Sequence, residues 1–149
     1  MGPRVEKIKP DGKSQSKPID LPAVCNNREG EFWYPPEDFV VQAHEIMIKR
    51  FGGYTGFEVG PSVYRHLLDE IKKVEGIYLK AAVLLQGIAI GRIFKDGNHR
   101  TAYIVTKTFL EMNASEIKEK NDLKVIKFIK GIRNYEINQV ESWLRDGAL

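Results

Sequence analysis

The chain has 149 residues, 42% hydrophobic and 29% charged, enough for one globular domain with a real core and too few for two ordinary ones. A net charge of +3, from 23 basic and 20 acidic side chains, is too balanced to argue nucleic-acid binding from charge alone. The single cysteine, Cys25, excludes an internal disulfide and a cysteine-rich zinc centre.

Residues 1–24 hold five basic and three acidic side chains, three prolines before Leu21, and no helical period. They are expected to form a flexible basic arm, either solvated or ordered by a partner, ahead of a domain over 25–149. There is no apolar stretch here of the kind a secretory signal needs. Glu31-Phe32-Trp33-Tyr34 is an aromatic run that suits one short strand. Pro35 and Pro36 then open a helix, with Glu37 and Asp38 at its positive end and Phe39, Val40, Ala43, Ile46, Met47 and Phe51 at helical spacing. Gly52-Gly53 stops it, and residues 52–60 form a loop. Pro61 starts a second helix with a stripe of Val63, Leu67, Leu68, Ile71 and Val74. The third, about 76–90, is apolar nearly all round, as a helix at the centre of a bundle would be. It is short for a membrane span and contains Lys80 and Gln86, so a cytoplasmic protein is expected. Asn98 is expected to cap a fourth helix running to about Met112. Asn121 or Asp122 starts a fifth, with Leu123, Ile126, Phe128, Ile129 and Ile132 inward. Asn138 and Glu141 have capping-box spacing for a last helix carrying Val140, Trp143 and Leu144. The expected fold is all-α: about six helices around a central buried one, with one small strand near Trp33.

One segment stands apart, Arg92-Ile93-Phe94-Lys95-Asp96-Gly97-Asn98-His99-Arg100-Thr101-Ala102. It joins the most apolar helix to another apolar helix, so its loop is held at the core. Gly97 lets a backbone approach a ligand closely. The free N–H groups of the helix that follows favour an anion, and Arg100 in its first turn can grip two phosphate oxygens at once. Asp96 is a hard oxygen ligand beside that anion, an arrangement magnesium accepts when phosphates supply its other ligands. Phe94 can plug the loop into the core. On residue types alone a plain turn and cap stays open, because Asp-Gly-Asn is a common turn.

The segment resembles the signature of the Fic/Doc family, His-x-Phe-x-Asp/Glu-Gly/Ala-Asn-x-Arg, and Thr101-Ala102 after it is similar to the Doc-type branch. Phe51-Gly52-Gly53-Tyr54-Thr55-Gly56 is similar to the Gly-Gly-x-x-Gly loop of Doc-like proteins. The helix ending Phe109-Leu110-Glu111-Met112-Asn113 fits too, as does the closing stretch 136–144. The likeness covers roughly Glu31 to Leu149. It implies a Fic/Doc-like helical bundle that binds ATP with Mg2+. Phe94 would be the core anchor and Asp96 the Mg2+ ligand; Gly97, Asn98 and His99 would lie along the phosphate cradle, and Arg100 would clamp a phosphate. It further implies a transferase that moves AMP or, in the Doc toxin branch, a phosphate onto a protein hydroxyl. The Doc target is the translation factor elongation factor Tu, and its restraint is a disordered Phd antitoxin.

The match departs at Arg92, where the family has the histidine that serves as general base. Such a base works best with a pKa near the operating pH, whereas a guanidinium stays protonated and has no acceptor lone pair. The open readings are a pseudoenzyme that binds nucleotide or antitoxin, a sequence disarmed by substitution, or a base supplied by another group. His99 is the one histidine within the motif. His66 is expected to be exposed, His44 to sit in or at the edge of the core, and Cys25 to be inert. The family's inhibitory pattern, Ser/Thr four residues before Glu-Gly/Asn, is absent: Cys25 and Ile71 precede Glu29-Gly30 and Glu75-Gly76. A separate antitoxin would fold into an apolar groove, for which Trp33, Tyr34 and Trp143 are candidates, with core packing the competing fate.

Overall fold

The computed structural model describes residues 5–10, 19–24 and 27–149, so Cys25 lies outside the described residues. The order is β1 (Lys7–Ile8), β2 (Arg28–Glu29), β3 (Phe32–Trp33), α1 (Glu37–Phe51), β4 (Gly53–Tyr54), α2 (Pro61–Lys73), α3 (Ile77–Ile90), α4 (Asn98–Met112), α5 (Asp122–Lys130), a 3-10 turn (Ile132–Asn134) and α6 (Ile137–Asp146). The fold is all-α, with two antiparallel two-stranded pairs, β1 on β4 and β2 on β3. Within the stretch expected as a free arm, β1 pairs Lys7 with Tyr54 and Ile8 with Gly53. No helix among the described residues is long and apolar enough to cross a membrane.

The centre is α3, which packs on α2, α4 and α6. Its residues Ala81, Ala82, Leu84, Leu85 and Ile88 are fully buried, as apolarity on every face requires. Lys80 is also buried. Its ammonium donates to the Tyr34 hydroxyl at 3.0 Å and the Ile71 carbonyl at 2.9 Å and lies 4.9 Å from the centre of the Phe32 ring. Neutral oxygens and aromatic faces thus replace its water. Helix α1 packs across α4, burying Phe39, Val40, Ala43, His44, Met47 and Ile48.

Four details differ from the periodicity. Tyr64, absent from the expected stripe of α2, is buried and donates its hydroxyl hydrogen bond to the Pro35 carbonyl; Val63 and Leu68 lie at the margin of the core. Leu123 is 81% exposed rather than inward, because it falls in the first turn of a short helix whose next turn makes the contact. The capping box of α6 is Glu136 with Gln139, two residues upstream of the expected Asn138, and the Gln139 side chain accepts the Glu136 N–H at 2.9 Å. Trp33 and Tyr34 are buried and take the core fate rather than lining a groove, whereas Trp143 is half-buried and stacks on Phe128 at 3.9 Å. Asn113, just past α4, accepts the Trp33 N–H and donates to the Trp33 carbonyl, both at 2.9 Å, which fastens β3 to the end of α4.

Candidate functional site

The link from α3 to α4 is held on both sides. Arg92 turns the chain with a positive φ of 58°. From there the segment runs antiparallel to the loop that follows β4. Val59 and Glu58 donate to the carbonyls of Arg92 and Ile93 at 2.9 and 3.0 Å, and Lys95 donates to that of Gly56 at 3.0 Å. Ile93 and Phe94 are 1% exposed. The Phe94 ring lies parallel to His44 at 3.7 Å and stacks on Phe57 at 5.6 Å, so it is the core anchor its apolarity implied.

Asn98 differs from its expected part as the cap of α4. Gly97, left-handed at φ 77°, occupies the cap position and Asn98 is the first helical residue. The Asn98 side chain reaches back to Phe94, accepting its N–H at 3.1 Å and donating to its carbonyl at 2.9 Å. A side chain spent on closing the loop cannot cap the helix. The amides of Asn98, His99 and Arg100 therefore have no side-chain cap, and the positive end of α4 is open.

Three polar groups converge on Asp96. Its carboxylate accepts the Gly97 N–H at 2.8 Å through Oδ1 and the Tyr54 N–H at 3.0 Å through Oδ2. Its carbonyl accepts from His44 Nε2 at 2.7 Å; since a carbonyl cannot donate, the proton sits on Nε2. Burial lowers the His44 pKa below its ordinary 6.5, against opposing pulls from the Asp96 hydrogen bond and charge. For such a histidine the unfolded chain takes up the proton first as pH falls from 6.5 towards the lowered value, so the folded state loses stability through that window. Between pH 7.5 and 5.5, urea unfolding is expected to show a larger stability loss for the wild type than for His44→Gln, which keeps an amide donor and cannot titrate.

Arg100, in the first turn of α4, stacks its guanidinium on Phe51, 3.9 Å from the ring centre. It makes no ion pair among the described residues, and burial lowers its pKa. It lines a cavity of about 690 Å³ between α1, α4 and α5, with Tyr103, Lys107 and Ile126 among the walls. Asp96 reaches Tyr54 and Arg100 reaches Phe51, so both are directed at the corner where α1 gives way to β4. His99 is half-buried; burial lowers its pKa, and Lys130 and Arg133 add to that. Its surroundings on that side are cationic. Arg92 lies apart: its side chain is 64% exposed and its Nη2 pairs with Glu58 Oε1 at 2.7 Å, which raises its pKa.

A single carboxylate with hard oxygens and a second acceptor direction on each fits Mg2+ when phosphates complete the coordination. Among the described residues no three His, Cys, Asp or Glu side chains gather into a metal-binding group.

The model of the Fic/DOC family matches residues 33–110, just over half of the chain. The chain belongs to the Fic/DOC family. No curated protein and no solved structure matches it. The matched part of this Fic/DOC chain takes in α1, the loop after β4, α2, α3, the 92–100 segment and most of α4, which are the elements that build the junction just described. Helices α5 and α6 lie beyond it.

Two residues that matter here were not picked out as site residues from the sequence. His44 read as core, which it is, yet the same ring holds the loop carbonyl. Glu58 read as part of a loop, and its partner Arg92 is 34 residues away. For His44 the available signal was a titratable ring on an otherwise apolar stripe; for Glu58 there was none.

Proposed function

We propose that this Fic/DOC chain is of the Doc-like branch and binds a nucleoside triphosphate, ATP with Mg2+, at the 96–100 junction. It is built to move a phosphate or AMP onto a hydroxyl of a protein target, with that transfer impaired because Arg92 stands where the family's general base would be. The observation that carries the binding half is Arg100: a guanidinium partly withdrawn from water, without an acidic partner among the described residues, in the first turn of a helix whose N-terminus has no side-chain cap. A desolvated cation there is stabilised by an anion with several oxygens.

The amides of Asn98, His99 and Arg100 would donate to phosphate oxygens, and the Arg100 fork would take two more. Phe94, stacked under the loop, and Asn98, closing it, keep those donors in place before ligand arrives, which is what electrostatic stabilisation needs. Asp96 would hold Mg2+ together with the phosphates; when bound, the ion neutralises charge on the oxygens it touches. Proton removal from a target hydroxyl has no evident agent at position 92. Arg92 remains protonated and is turned onto Glu58.

That pairing supports a second reading, a binding-only protein that engages nucleotide or a Phd-like antitoxin. The two readings part on Arg92→His. Under the transferase reading this substitution yields modification of a translation factor such as elongation factor Tu when incubated with Mg-ATP. Mass spectrometry of the target then distinguishes added phosphate from added AMP. An unmodified target, with nucleotide binding intact, favours the binding protein. For either reading, calorimetry is expected to show Mg-ATP binding that weakens in Asp96→Ala.

A further inference from the structure

Two N-terminal stretches touch both sides of the same corner. At the first, the Glu6 N–H donates to Thr55 Oγ1 and the Thr55 N–H donates to the Glu6 carbonyl, each at 2.7 Å. Lys7 and Ile8 continue this pairing along β4. Strand β4 thus has β1 on one side and Asp96 on the other, held through the Tyr54 N–H. Ile8 walls a cavity of about 260 Å³ together with His44, Ile48, Phe57 and Phe94. Pro10 lies against Gly52, where a Cβ would be 2.7 Å from the proline Cδ; only glycine admits that approach. At the second stretch, Ile19 and Leu21 are half-buried with Asp20 exposed between them. Both apolar residues line the cavity that Arg100 lines.

We propose that residues 5–10 and 19–24 act together as an intramolecular strap, seated at β4 and in the Arg100 cavity, that opposes ligand binding at the 96–100 junction. The inference rests on the nucleotide reading above. Its sign follows from what each anchor occupies. The seated β1 keeps β4 where the Tyr54 N–H holds Asp96 Oδ2, which leaves that oxygen one acceptor direction instead of two for a cation. Ile19 and Leu21 take up space beside the guanidinium that would face the phosphates. Coupling of this kind is reciprocal: a ligand that needs both groups loosens the strap, and loosening the strap tightens the ligand. An arm of this kind lacks the family's inhibitory pattern and has no helix among its described residues, so motif reading passes over it.

The test uses the full chain with Mg-ATP as probe. Hydrogen exchange is followed at the Thr55 amide, whose partner is the Glu6 carbonyl, and the Kd is measured for wild type, Ile8→Asp, and the Ile19→Asp/Leu21→Asp double variant. The expected result is a protected Thr55 amide that exchanges faster once Mg-ATP is added. Each variant is expected to bind Mg-ATP about fivefold or more tightly than wild type, the low end of usual coupling. Both variants change partly exposed positions, and a circular dichroism melt confirms their fold. A Thr55 amide that exchanges freely without ligand overturns the strap whatever binds. Protection at Thr55 with equal or weaker binding by the variants overturns its opposing role alone. If Mg-ATP binds neither wild type nor variants, the nucleotide reading falls and the proposal with it.

Discussion

Phe94→Ala is expected to destabilise the fold by about 4 kcal/mol, the usual cost of removing a buried phenyl ring, read as a lower urea midpoint with unchanged slope. The ring is 1% exposed and lies between His44 and Phe57, so its loss leaves a void lined by two aromatic faces that α1 and the loop 52–60 cannot both close upon. The consequence reaches beyond stability. The Phe94 backbone is what Asn98 grips, and that grip sets where α4 begins. A milder change, Phe94→Leu, is expected to cost less and to retain Asn98 in place. If Phe94→Ala were neutral, the loop would not be anchored as described.

The second large effect is on binding. Arg100→Ala is expected to weaken Mg-ATP by roughly a hundredfold, about 3 kcal/mol, because it removes two charge-assisted hydrogen bonds to phosphate. Its effect on stability is expected to be small, about 0.5–1 kcal/mol, the worth of its stacking on Phe51. Separation of the two numbers is the informative part. A variant that loses stability in proportion to affinity would make Arg100 a structural residue. Arg100→Lys keeps the charge but not the planar fork, and is expected to recover only part of the affinity.

The elements were legible where one physical rule dominated. Residues 77–90 are apolar on nearly every face, and only the middle of a bundle satisfies that, so the amino-acid pattern alone places α3 at the centre. Pro61 and Gly52 marked the ends of helices because proline and glycine constrain the backbone locally. The misses share a different character. Asn98 had the composition of a cap, and its side chain instead satisfies a backbone four residues back that a loop at the core would otherwise leave unpaired. Asn138 and Glu141 had the spacing of a capping box, but the chain enters α6 two residues earlier, where Glu136 and Gln139 satisfy the same rule. Leu123 had the right period, yet α5 is nine residues long and its first turn lies beyond the core.

The candidate site was legible as a set of residue types and not as a set of contacts. Asp96 and Arg100 were singled out for their chemistry, and Arg92 for the base it cannot be. What fixes their directions lies far off in the chain: Tyr54 is 42 residues from Asp96 and His44 is 52. A sequence read along its length gives no hint that one carbonyl and one carboxylate of the same residue will be held by two such distant groups, because that depends on α1 crossing α4. The pairing of β1 with β4 was equally hidden, since a two-residue strand in a proline-bearing arm carries no period to detect.

The open amides at the start of α4 are the most direct place to look. Mg-ATP would be titrated into the isotope-labelled full chain while the backbone amide signals of Asn98, His99 and Arg100 are followed by nuclear magnetic resonance. Saturable shifts at these three, among the largest in the chain, are expected, with those of Asn98 and His99 reached only at roughly a hundredfold more nucleotide in Arg100→Ala. Signals that stay still at saturating nucleotide, or that move no more than those of distant α6, would contradict a phosphate site at this helix end.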